Sequence, residues 1–188
     1  MVYKTIISAD DLKVNLDNDN FLIFDSRCDI KDSGYGIDSY TEGHIPNSIF
    51  VDVDTDLASE KRPGTGRHPL PDPNTFSEKL SHWGMSNSKQ VVVYDDAGGA
   101  FAGRLWWMLK WLGHEAVAVL DGGLNSWVKG GNKLVTTPTV FEKAHFEPCV
   151  QENMIATVED VEEAQFKINT ILLDARSKER YQGINDPV

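Results

Sequence analysis

The segment best suited to chemistry is Tyr94-Asp95-Asp96-Ala97-Gly98-Gly99-Ala100. It follows the apolar run Val91-Val92-Val93-Tyr94 and precedes a helical pattern, so it reads as a strand–loop–helix junction. In an open α/β sheet, ligands bind at the carboxyl ends of the strands. Backbone N–H groups left over at a helix start attract anions. Two carboxylates at the head of such a loop work against a dissolved anion. Asp95 or Asp96 is expected to fill the cradle with its own charge and to repel an anionic ligand. The loop is no nucleotide site: Gly-x-x-x-x-Gly-Lys-Ser/Thr does not occur, and three spaced glycines after a strand are missing.

The two thiols are the other candidates. Cys28 follows the apolar run Phe21-Leu22-Ile23-Phe24 and stands beside Arg27, a setting able to lower a thiol pKa. Were either thiol a nucleophile it would be Cys28, but no Gly-rich loop surrounds it to steady a thiolate, which argues against that role. Cys149 lies in a stretch without periodicity. Neither cysteine has an arginine six places on, as a Cys-based phosphatase loop needs. The histidines, His44, His68, His82, His114 and His145, have no ligand spacing, so no metal and no cofactor are expected. His44 is expected to order its turn by hydrogen bonding.

These residues need elements to hold them. Ser8 followed by Ala9-Asp10-Asp11 is an N-cap signature for a helix to about Val14. Continuous apolar runs at residues 21–24, 91–94 and 117–120 predict buried strands of a parallel sheet, and Ser48-Ile49-Phe50-Val51 reads as a further short strand. Residues 28–41 read as irregular, and 56–73 as a Pro- and Gly-rich loop. Phe76, Leu80 and Trp83 line a helix that Gly84 closes. A second helix runs from about Phe101 to Leu112, and a short one from Leu124 to Lys129. Leu105, Trp106, Trp107, Met108, Leu109, Trp111 and Leu112 make the longer helix apolar nearly all round. Either a partner domain or local loops would cover it.

The chain has 188 residues, 40% hydrophobic and 25% charged, within the range of ordinary globular proteins. A net charge of −11 argues against nucleic acid, whose phosphates call for clustered Lys and Arg. No apolar run approaches the roughly 20 residues of a membrane helix. No secretory signal is expected at the start, and two cysteines without disulfide spacing read as a reduced, cytoplasmic protein. An internal repeat sets the domain organisation. Ser8, Leu12, Asp25 and Arg27 recur as Thr157, Val161, Asp174 and Arg176, each 149 positions on. The expected division is a complete domain over 1–135, a linker over 136–156, and the truncated start of a second domain over 157–188. In that last part, Thr157 caps a helix to about Phe166, Ile171-Leu172-Leu173 reads as a strand, and Ser177–Tyr181 as a helical turn.

Five stretches together resemble the two-domain rhodanese and mercaptopyruvate sulfurtransferase family. They are Phe24-Asp25-Ser26-Arg27, Gly43-His44-Ile45-Pro46-Asn47-Ser48, Val91-Val92-Val93-Tyr94-Asp95, Arg104-Leu105-Trp106-Trp107-Met108-Leu109 and Leu120-Asp121-Gly122-Gly123-Leu124-Asn125-Ser126-Trp127. The run Leu172-Leu173-Asp174-Ala175-Arg176 to Arg180-Tyr181-Gln182-Gly183 is similar to the opening of the family's second domain. The resemblance implies an α/β fold with a central parallel five-stranded sheet, helices on both faces, and an incomplete β-α fragment after it. It implies sulfane sulfur transfer from thiosulfate or mercaptopyruvate through a cysteine persulfide, with the cysteine directly after the central strand's Tyr in the second domain. Here Asp95 holds that loop position, so this chain is expected to show little activity. A non-catalytic binding module and a truncated product are the alternatives. The resemblance also implies that Arg180 holds the anionic donor, with Arg176 beside it. Arg176 would otherwise pair with a nearby carboxylate, as Arg27 would in the first copy. A homodimer is expected through residues 157–188 or through the helix bearing Trp106, Trp107 and Trp111.

Overall fold

The computed structural model describes residues 2–185, which fall into two compact units divided after Gln151. The first contains strands β1 (Ile6–Ile7), β2 (Phe21–Asp25), β3 (Ser48–Phe50), β4 (Gln90–Tyr94) and β5 (Val117–Leu120). Helices α1 (Ala9–Val14), α2 (Tyr35–Glu42), α3 (Pro73–His82), α4 (Ala102–Trp111) and α5 (Gly123–Lys129) connect and follow them. All strand pairs are parallel, in the order β1-β5-β4-β2-β3. The chain first moves one way across the sheet, from β1 to β2 to β3, and then back to β4 and β5. Right-handed crossovers therefore place α1 and α2 on one face and α3 and α4 on the other.

Side-chain alternation divides the core accordingly. Ile7, Ile23, Val92, Tyr94, Ala118 and Leu120 point to one face and pack with Leu12 and Trp127. On the opposite face the Phe24 ring meets Trp83 edge-on at 5.7 Å. The three central strands are apolar apart from Gln90 at the start of β4 and Asp25 at the end of β2, because both faces are covered.

Several elements depart from the sequence-based expectation. Residues 28–41 are not irregular throughout, since α2 occupies Tyr35–Glu42. Gly34 offers this helix no side-chain cap. Tertiary partners hold it instead: the Tyr40 hydroxyl donates to Ser48 O at 2.8 Å, and the Tyr40 ring stacks on His44 at 3.7 Å. The two-residue β1 had no periodicity to announce it, and exists by pairing with β5.

Residues 132–151 form a strap along the first unit. His44 and Val135 exchange both backbone hydrogen bonds at 2.9 Å. Further on, the amides of Ala144, Cys149 and Gln151 donate to the carbonyls of Ser81, Leu112 and Trp111. Those carbonyls lie at the ends of α3 and α4, where the regular helical acceptor pattern runs out. Phe146 is the buried plug of the strap.

In the second unit a 3₁₀ turn (Glu152–Met154) precedes α6 (Val158–Ala164) and α7 (Lys178–Tyr181). Thr157 and Asp160 form a reciprocal capping box. The expected strand at Ile171–Leu173 is not formed, because a strand requires a hydrogen-bonded neighbour and none pairs with it among the described residues. No described helix is long and apolar enough to cross a membrane.

Candidate functional site

β2 and β4 lie side by side, with Asp25 in register with Tyr94, so the loops leaving them emerge together. A buried polar network joins them. The Tyr94 hydroxyl donates to Asp25 Oδ2 at 2.7 Å and accepts from the Ile45 amide at 3.1 Å. Burial and the Asp25 charge hold the Tyr94 phenol well above its ordinary pKa. Arg27 Nε contacts both Asp25 oxygens at 3.1 and 3.0 Å, and its Nη2 reaches Asp25 Oδ2 at 2.7 Å and Gly43 O at 2.8 Å. The pair is almost fully buried. Such an ion pair needs every lone pair matched, and here a phenol, a guanidinium and two backbone groups share the work.

The loop after β4 is a ring of N–H groups with a carboxylate at its centre. Asp95 Oδ1 accepts from Ala97 N at 3.0 Å and Gly99 N at 2.8 Å. Its Oδ2 accepts from Phe101 N at 2.8 Å and Ala102 N at 2.9 Å. Four backbone donors thus converge on one side chain that is 1% exposed. Gly98 and Gly99, at φ 70° and 90°, take the left-handed conformations that turn these amides inward. Phe101 and Ala102 open α4, so its first free N–H groups and positive dipole end face the same carboxylate. The neighbouring Asp96 points away and accepts from the Tyr35 hydroxyl at 2.5 Å. That bond ties the loop to α2 and raises the Tyr35 pKa.

Cys28 corrects an expectation. Its thiol is not activated by Arg27, whose guanidinium is taken up by Asp25. Burial and the charges of Asp54, Asp52 and Asp29 push its pKa up to about 11. It lines a small crevice with Arg27, Asp32, Ser33, Asp52 and Asp54, whose carboxylates oppose a thiolate. Cys149 is exposed on the strap. Among the described residues, no group of three or more His, Cys, Asp or Glu side chains is placed to hold a metal.

The motif Asp-x-Arg adopts the same local geometry twice. Arg176 Nε lies 2.9 Å from each Asp174 oxygen and its Nη2 lies 2.6 Å from Oδ2. Asp174 is held down to about 2 by Arg176. Arg180 stands in α7 with its amide 3.4 Å from Ser177 Oγ. The N-caps recur too, Ser8 Oγ accepting from Asp11 N at 3.1 Å and Thr157 Oγ1 from Asp160 N at 3.2 Å. Of the three tryptophans on α4, Trp111 is buried, and the Trp106 indole donates to Lys4 O and Val117 O at 3.1 Å. Trp107 stacks on Trp111 with ring centroids 6.1 Å apart.

Sequence reasoning found the loop and its self-filling carboxylate. It also foresaw a carboxylate partner for Arg27, but missed the Tyr35–Asp96 tie and the Tyr94–Asp25 bond, since both join residues distant along the chain.

Comparison with known proteins places this geometry. Residues 8–130 match the model of the rhodanese-like domain. The chain is 37% identical over 185 residues to the probable 3-mercaptopyruvate sulfurtransferase of Pseudomonas aeruginosa, covering 97% of this chain and 65% of that protein. It is 34% identical over 148 residues to the rat thiosulfate sulfurtransferase, covering 77% of this chain and 48% of that one. The chain therefore spans about two-thirds or less of the relatives it matches. Its backbone superposes on SseA of Escherichia coli, described as a 3-mercaptopyruvate enzyme of the rhodanese fold. The TM-score is 0.84 at 28% identity, covering 99% of this chain and 71% of SseA. With its all-parallel five-stranded sheet and its loop of converging amides, the chain belongs to the rhodanese-like domain family.

Proposed function

We propose that this chain is the part of a sulfurtransferase whose loop after β4 carries a carboxylate in place of a thiol, serving thiosulfate or 3-mercaptopyruvate chemistry in partnership with a second domain that supplies the nucleophile. In that chemistry a thiolate attacks the outer sulfur of the donor. For thiosulfate, the S–S bond breaks and sulfite leaves with the electron pair. Cyanide or another thiophile then removes the outer sulfur from the persulfide and restores the thiolate. The observation that carries the reading is the Asp95 carboxylate bound by four amides, in the loop whose second-domain counterpart would hold the thiol. A carboxylate cannot form a persulfide, and its charge excludes an anionic donor from the ring.

Within this reading Arg180 holds the anionic donor once a thiol is supplied. Arg176, bonded to Asp174, fixes the turn that presents it. The two free thiols fit a reducing, cytoplasmic setting, which cell fractionation tests.

The decisive assay is thiocyanate formation from thiosulfate and cyanide. The chain by itself is expected to give no turnover above the buffer rate. Turnover that disappears in Cys28→Ser would assign the nucleophile to Cys28 and end the proposal. In a protein joining this chain to a Cys-bearing rhodanese-like domain, Arg180→Ala is expected to raise KM for thiosulfate severalfold. An unchanged KM would remove Arg180 from the donor site.

A further inference from the structure

The strap over the first unit covers two buried imidazoles that sulfur transfer does not use: His44, whose Nε2 lies 3.1 Å from Thr137 O, and His114. His114 follows the C-terminal turn of α4, where its amide donates to Leu109 O at 2.9 Å. Its ring is 3% exposed, and Nε2 lies 3.2 Å from Ala116 O. The covering surface is the strap's plug: the Phe146 ring stands edge-on to the imidazole at 78°, centroid to centroid 6.0 Å. Phe146 is itself 2% exposed. The strap also crosses close to the backbone beside this pair, because a Cβ on Gly113 would fall 2.5 Å from Cys149 O.

We propose that His114 and Phe146 form an acid-released latch, in which a neutral imidazole keeps residues 141–151 seated and its protonation lets the strap lift. An imidazolium beneath an aromatic plug is a charge removed from water, and undocking the strap rehydrates it. The groups around the ring act in both directions. Burial lowers its pKa most. The Ala116 and Lys89 backbone groups favour the cation, Lys110 on α4 opposes it, and Glu115 favours it. The carbonyl end of α4 also favours a cation. On the strap, Phe146 carries no charge, while the His145–Glu147 pair at 3.2 Å lies in solvent on either side of it. Burial is the largest of these effects, and it sets the direction.

The sign follows from proton counting. The seated strap holds His114 below the ordinary imidazole value of about 6.5, so the lifted form binds more protons. Seating is complete above about pH 6.5. Below it the seated-to-lifted ratio falls by up to tenfold per pH unit, until the covered ring also titrates. Release would loosen the segment that leads into Glu152.

Amide hydrogen exchange of the full chain tests this, with rates corrected for intrinsic pH dependence. Between pH 7.5 and pH 5, protection of the strap amides Ala144, Phe146, Cys149 and Gln151 is expected to drop at least fivefold. Protection of the β4 amides is expected to hold, and His114→Gln to flatten the strap response. A pH-independent strap, or an equal drop in His114→Gln, would overturn the latch. Should that variant fail to fold, an NMR titration of His114 in the unaltered chain decides, because a midpoint at or above 6.5 is incompatible with it.

Discussion

At the scale of single residues, Asp95 and Cys28 show how far sequence adjacency predicts electrostatics. An acid directly after a buried strand and ahead of Gly98-Gly99 was enough to foresee that the loop's amides would be satisfied from within. That four of them converge on one side chain depends on φ angles near +70° and +90°, which the sequence only permits. Arg27 beside Cys28 pointed the wrong way, because a neighbour in sequence is a partner in space only if nothing else claims it. Asp25 claims Arg27, while Asp52 and Asp54 arrive from the segment beyond β3. With a pKa of about 11, Cys28 is roughly one part in a thousand thiolate at about pH 8. Iodoacetamide at that pH is therefore expected to label exposed Cys149 first. The Cys28 rate should climb about tenfold per pH unit toward pH 10. A Cys28 rate that levels off below pH 8 would contradict the assignment of its environment.

Among the elements, legibility followed the source of the information. β2, β4 and β5 each carry four successive apolar residues, so a buried parallel sheet was readable from composition. α1 carried its own cap in Ser8. α2 is specified by Tyr40 and Tyr35 reaching other elements, and no local pattern could report that. Ile171–Leu173 has the apolar content of β2 without its hydrogen-bonded neighbours, and content alone does not make a strand. Two glycines separate the contribution of the strap from that of backbone strain. Gly113 (φ 80°) and Gly131 (φ 71°) both sit in the left-handed region, yet an added Cβ meets Cys149 O at Gly113 and nothing within 4 Å at Gly131. Gly131→Ala is expected to lower unfolding stability by about 1 kcal/mol. Gly113→Ala should lose roughly 2 kcal/mol more, because the strap must also shift. Urea titration of both variants measures the difference, and equal losses would show that the strap yields freely.

For the whole molecule, the two units differ in how much apolar surface they leave in solvent. The first buries its apolar side chains in a sheet covered on both faces. The second leaves Phe166, Ile168, Ile171 and Leu173 each more than 80% exposed. Apolar surface of this kind favours a second surface that excludes water. We propose that a second copy provides it, the two chains meeting through residues 157–185. The alternative face on α4 is reduced to Trp107, since Trp106 and Trp111 are engaged within their own unit. Sedimentation velocity from about 1 to about 100 µM is expected to show a concentration-dependent shift toward dimer, abolished by Ile171→Asp with Phe166→Asp. A monomer throughout, or a dimer indifferent to those changes, would refute it.

The ring of amides around Asp95 has one further consequence, best put in terms of competition. A carboxylate delivered by the backbone of its own loop acts at an effective concentration that no dissolved anion approaches. The first unit thus behaves as a receptor permanently saturated by a tethered ligand. Its loop amides are satisfied without thiosulfate, sulfate or phosphate.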